Sequence, residues 1–232
     1  MRLITFTLAL ALAQAFLPVS SAKDDKAKNA ERLDDAASLL TEIMSAPDKS
    51  IPQDLFNKSY CIVLVPGLKK GAILVGGKYG RGFAVCRAAG GEGWGSPAAM
   101  RIEGGSFGLQ LGVSSTDVVL LIMNDRGMKK LVQSKFTIGA EATAAAGPVG
   151  RDATAQTDAL MTAEILSWSR SKGLFAGISL DGATLRNDID ENKIMYGQRW
   201  EMKDILNSGA KQPAASSKLI AELNKYSSRR TS

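Results

Sequence analysis

The chain has 232 residues, 45% of them hydrophobic, with a formal net charge of +6, no histidine and two cysteines. That is enough apolar material for one sizeable core in one domain, which excludes a disordered polyelectrolyte. Without histidine, the usual proton carrier near neutral pH and the commonest metal ligand are both missing, which argues against histidine-dependent hydrolysis and a metal centre.

Residues 1–22 have the layout of an export signal: Arg2, an apolar run from Leu3 to Leu17, and small residues Ser20-Ser21-Ala22 before a charged stretch. The apolar run is shorter than the ~20 residues needed to cross a bilayer. Cleavage is expected after Ala22, leaving a secreted or periplasmic chain with one domain over 23–208 and a linker and basic tail over 209–232. Lys26 to Ala46 predicts a helix, because Leu33, Ala37, Leu40 and Met44 recur at helical spacing and Pro47 stops it. From Lys23 to Ala46 six acids outnumber four cations and the apolar stripe is thin, so this helix is expected to dock on a core.

From Tyr60 to Met123 the pattern changes to short apolar runs cut by glycines, which predicts mostly antiparallel sheet and hence an α+β fold, a sandwich or barrel-like core with flanking helices. Cys61 and Cys86 lie in two of these runs. In an exported chain they are candidates for a disulfide, the alternative being two buried thiols. FGLQLGV alternates Phe107, Leu109, Leu111 and Val113 with Gly108, Gln110 and Gly112; LFAGISL is expected to put Leu174, Ala176, Ile178 and Leu180 on the core side, opposite Phe175, Gly177 and Ser179. A bare glycine face marks either close backbone packing or a ligand groove. Short helices are expected over Asp125–Ser134 and 218–226, and one longer helix over Asp188–Leu206.

Two motifs suggest catalysis and lack its context. Ser169-Arg170-Ser171-Lys172 matches Ser-x-x-Lys, yet Gly173 and an alternating strand follow where the chemistry needs a helix. Gly104-Gly105-Ser106-Phe107-Gly108 matches a nucleophile elbow, which needs a histidine base. No catalytic residue is expected. The basic residues form two groups: Lys69, Lys70, Lys78, Arg81 and Arg87, then Arg126, Lys129, Lys130 and Lys135. They favour anionic partners. Four lysines near an anionic bilayer contribute about 4 kcal/mol, near millimolar affinity, so useful lipid binding needs an apolar element as well.

The segments GGKYGRG, RIEGGSFG, DVVLLIMN, GPVGRDA and SRSKGLFAGISLDGATL, in this order between Glu31 and Tyr196, resemble the SYLF domain. The resemblance implies a module without enzyme activity or cofactor that binds anionic phospholipids, phosphoinositides in eukaryotes, with actin binding in fungal members. An exported chain would not meet actin unless delivered into a host cell, and nucleic acid is not an expected partner. The candidate lipid-binding residues are Lys69, Lys70, Lys78, Arg81, Arg170 and Lys172, expected to rim a glycine-lined apolar crevice. A protein-interaction module of the cell envelope is the alternative.

Overall fold

The computed structural model describes residues 20–46, 50–72, 75–107, 112–150 and 162–231. The expected signal's first 19 residues, the Gly108–Leu111 part of FGLQLGV and the end of GPVGRDA lie outside them. The first helix, α1 (Ser20–Ser45), starts three residues ahead of the expected cleavage point and ends before Pro47, as the preference of a residue preceding proline for extended backbone requires. It buries Leu33, Ala37 and Leu40, together with Ala36 and Ile43, while Met44 is only partly covered. A short helix α2 (Gln53–Lys58) leads into the sheet.

Four long strands follow, β1 (Cys61–Ala72), β2 (Val75–Cys86), β3 (Ala98–Phe107) and β4 (Gly112–Ile122); β2 pairs with both β1 and β3, and β4 pairs with the other edge of β1. After α3 (Asp125–Leu131) come β5 (Lys135–Thr137), β6 (Ala144–Ala146), β7 (Ile165–Ser171), β8 (Leu174–Gly177) and β9 (Thr184–Asn187). The chain closes with α4 (Ile189–Tyr196), α5 (Met202–Ser208) and α6 (Ser217–Tyr226). The fold is α+β: one curled nine-stranded sheet, a half-barrel, in the order β5-β9-β3-β2-β1-β4-β7-β6. Its pairs are antiparallel except β6 with β7; β8 takes the rest of the β7 edge.

The sheet separates two cores. Ile62, Leu64, Phe83, Val85, Val119, Leu121, Leu166 and Trp168 face α1, α2 and α6. Val63, Val65, Ala84, Met100, Val118, Leu120 and Ile122 face the other way, covered by Leu131, Phe136, Leu180, Leu185, Met202 and Ile205. That alternation along β1, β2 and β4 is the period-2 pattern of a sheet buried on both sides.

Three of the glycines are explained by close approach. A Cβ on Gly82 would sit 2.0 Å from the Leu64 carbonyl oxygen, and one on Gly80 would reach Leu68 and Val65 within 2.9 Å. Gly147 leaves room for the ring of Trp168, whose Nε1 donates to the Pro148 carbonyl at 2.9 Å. Packing therefore occupies the space over Gly80 and Gly82, where a glycine-lined apolar crevice was expected. At Pro66 and Gly67 β1 bulges, shifting register against both neighbours, and the Gly67 N–H donates to Asp117 Oδ1 at 2.8 Å.

Two other expectations change. In LFAGISL, Leu180 is buried and Ile178 partly so, as expected, but within β8 Phe175 is buried and Leu174 is 61% exposed, because the tight turn at Lys172-Gly173 sets the opposite register there. The expected helix over 188–206 is two helices, the first ended by Gly197 in the left-handed region at φ 76°. Helix α6 is docked, with Leu219, Ile220 and Leu223 buried against the core beside α1.

Cys61 and Cys86 are bonded across the β1–β2 pair, 25 residues apart in sequence. Replacing both with alanine is expected to lower the unfolding free energy by about 3 kcal/mol, since the cross-link removes loop entropy from the unfolded chain. A urea midpoint equal to that of the unaltered protein would contradict this.

Candidate functional site

Strand register decides where the candidate cations lie. Lys69 pairs with Ser115 on β4 and with Tyr79 on β2, and Lys70 pairs with Lys78. Asp117 pairs with Arg170 on β7; carried two residues further, that register sets Lys172 level with Ser115. The far end of the sheet, where the hairpins turn, therefore collects Lys69, Lys70, Lys78 and Lys172. Residues alternate across a strand, so Lys69 and Lys70 occupy opposite faces of this end.

Two apolar side chains are exposed at the same end. Leu174 directly follows the Lys172-Gly173 turn, and Tyr79 is 46% exposed beside Lys69. Lys78 is partly buried. Burial and the neighbouring Lys70 lower its pKa, against an opposing pull from Asp181, because removing an ammonium from water disfavours its charged form.

The two arginines of the expected rim are engaged elsewhere. Arg81 turns toward the helices, its Nε 3.0 Å from Asp188 Oδ2 and its Nη1 2.6 Å from Glu191 Oε1. Burial works against its charge, but Asp188, Tyr79 and Glu191 more than offset this and raise its pKa above the ordinary value. Glu191 also accepts a hydrogen bond from Asn29 and pairs with Arg32, so this ionic centre fastens α1 to α4 and the sheet. Arg170 donates from Nε to Asp117 Oδ2 at 2.8 Å, pairs with Glu42 of α1 and lies 5.7 Å from the Phe175 ring.

Beside Arg170, between α1 and the bulge, runs an open groove of about 510 Å³. Its lining carries Lys28, Arg32 and Arg170 against Glu31, Asp35, Glu42 and Asp117. It is mixed in charge and does not match a basic-rimmed apolar crevice. Arg87, grouped with the rim by sequence, stacks 3.9 Å from the Trp94 ring and donates to the carbonyls of Phe56 and Ser227. Of the second basic group, Arg126 pairs with Glu164 at 3.5 Å and Lys135 lies in β5.

Ser169 lies inside β7, opposite Val118, and Lys172 forms the turn at φ 51°. Ser106 is within β3, which runs on to Phe107, so no strand-to-helix elbow forms there.

The profile of the Ysc84 family, described as Las17-binding protein actin regulator, matches residues 103–226, just over half of the chain. The chain belongs to the Ysc84 (SYLF) family. It is 31% identical over 212 residues to SH3 domain-containing YSC84-like protein 1 of Rattus norvegicus, across 90% of this chain and 61% of that protein. Against the Homo sapiens protein of the same name the identity is 30% over the same length. LAS seventeen-binding protein 3 of Saccharomyces cerevisiae is 31% identical over 171 residues, 72% of this chain and 37% of that one. This Ysc84-type chain thus spans about three fifths of the length of the animal relatives it matches. Its matched region includes β4, the β7–β8 turn with Lys172 and Leu174, and the docked α6.

Sequence patterning missed Leu174, because the alternation assigned it to the core. It missed Tyr79 because a lone aromatic among glycines carries no periodic signal.

Proposed function

We propose that this Ysc84-type domain is exported and binds anionic phospholipid surfaces end-on, through the sheet end that carries Lys69, Lys70, Lys78 and Lys172, without altering the lipid. The observation that carries this reading is the register that brings these lysines to one end beside exposed Leu174 and Tyr79. An end-on approach uses both faces of the strands, so the alternation of Lys69 and Lys70 is no obstacle. Seating Leu174 supplies the apolar contribution that lysines alone lack, about 0.8 kcal/mol for each CH₂ buried. Export is supported by the signal-like first 22 residues and by the bonded cysteines, which persist in oxidising compartments.

The test is co-sedimentation with phosphatidylcholine vesicles containing or lacking phosphatidylserine. Lys69→Glu/Lys172→Glu is expected to weaken binding to the anionic vesicles at least tenfold, at roughly 1 kcal/mol per charge removed and again per charge reversed. Leu174→Ser is expected to weaken it while leaving the salt dependence unchanged. Equal binding to neutral and anionic vesicles overturns the reading.

A second reading is favoured by the name of the yeast relative, LAS seventeen-binding protein 3: a protein-interaction module, in the cell envelope if export holds. It requires a stable complex without lipid, visible by light scattering.

A further inference from the structure

Four cations stand in one line across four adjacent strands. Lys135 of β5 pairs with Arg186 of β9, Arg186 with Arg101 of β3, and Arg101 with Arg81 of β2. Residues paired in this way project from the same face about 4.5–5.5 Å apart, and like charges placed so are destabilising. The inner part of the line is neutralised. Arg81 has Asp188 and Glu191, and Arg101 has Glu103 at 2.5 Å and Asp188 at 3.7 Å.

The outer part is not. Among the described residues, the ion pair of Arg186 is with Glu103 at 3.4 Å, a carboxylate already shared with Arg101. Both arginines face Glu103 through Nε, and neither Nε meets hydrogen-bond geometry there. Lys135 is exposed and has no ion pair among the described residues. Arg101, Arg186 and Lys135 line a cleft of about 270 Å³ with Arg199, which holds Asp190 at 3.0 Å.

We propose that this cleft is a binding site for a phosphate-bearing group. With Arg101 held by Glu103 and Asp188, and Arg199 by Asp190, which also lines the cleft, the charge left over is that of Arg186 and Lys135; it calls for an occupant of about two negative charges, and arginine forks match phosphate oxygens in pairs. The volume lies just below the roughly 300–1,000 Å³ of drug-sized ligand sites, which suits one small headgroup. The site is independent of the sheet end assigned to membrane contact.

The probe is inorganic pyrophosphate, read as the thermal midpoint of the whole protein at low salt. A saturable rise is expected for the unaltered chain. In Lys135→Gln/Arg186→Gln the apparent affinity falls at least roughly tenfold, while the unliganded midpoint stays equal or rises because the line of like charges is shortened. Arg199→Gln, at a largely exposed position, weakens pyrophosphate binding without touching the sheet. Phosphatidic acid in phosphatidylcholine vesicles separates the sources. Vesicle binding lost in the double variant, with Lys69 and Lys172 intact, assigns the cleft to a lipid headgroup; vesicle binding kept while pyrophosphate binding is lost assigns it to a free phosphorylated solute. No saturable shift up to roughly 10 mM pyrophosphate overturns the site, as does a double variant that binds pyrophosphate like the unaltered protein. Pyrophosphate is read without vesicles, so this result stands or falls apart from the membrane reading.

Discussion

Asp188→Asn is expected to destabilise the domain by about 3 kcal/mol. The Asp188 side chain is fully buried between Arg81 and Arg101, and it also accepts from the Glu191 N–H at the start of α4. Asparagine keeps the capping oxygen but removes the charge, leaving Arg81 with Glu191 and Arg101 with Glu103. Breaking a buried pair on one side costs more than the pair contributes, because the remaining charge stays desolvated. The partial exposure of Arg81 holds the expected loss at the low end of that range. Arg81→Gln in the same chain should recover part of it, and a double-mutant cycle from urea unfolding measures the coupling. Strict additivity of the two substitutions would show that Asp188 and Arg81 are not coupled and would contradict this account of the ionic centre.

Gly82→Ala is expected to cost about 3 kcal/mol or more, at or beyond the usual limit for overpacking. The added methyl meets the backbone of β1 at Leu64 and Val65, and no side-chain rotation relieves a contact with backbone. Relief requires β1 and β2 to separate, which opens both cores at once. Gly105→Ala is the control: nothing lies within 4 Å of its Cβ, and it should be neutral or slightly stabilising. Comparable thermal midpoints for the two variants would refute the close-approach account of the glycines.

Much of the local structure was legible in the sequence. The Leu33, Ala37, Leu40 spacing identified the buried stripe of α1, and the apolar runs from Cys61 to Ile122 marked the four long strands. The LFAGISL segment misled because both of its faces carry apolar residues. Four aliphatics outweighed one phenylalanine in the pattern, yet over Leu174–Gly177 the turn, not the pattern, set the register. Gly197 was a visible helix-stop signal inside a stretch otherwise consistent with one helix.

The site was less legible, for a different reason. Whether a lysine is available or consumed depends on non-local partners. Arg81 reads as part of a basic loop, but its carboxylates arrive from Asp188 and Glu191, more than 100 residues on. The line from Arg81 to Lys135 exists only because β9 inserts between β3 and β5, a pairing no local pattern announces.

The packing of α6 on α1 joins the last element to the first, with Thr41 of α1 donating to Glu222 of α6 at 3.2 Å. A chain emerging from the ribosome or a translocation pore in sequence order presents α1 early and its covering helix only at the close. Until residues 217–226 arrive, the greasy side of the opening helix lacks part of its cover and is exposed to chaperones and to other nascent copies. The core under α1 is therefore complete only once residues 217–226 have been made.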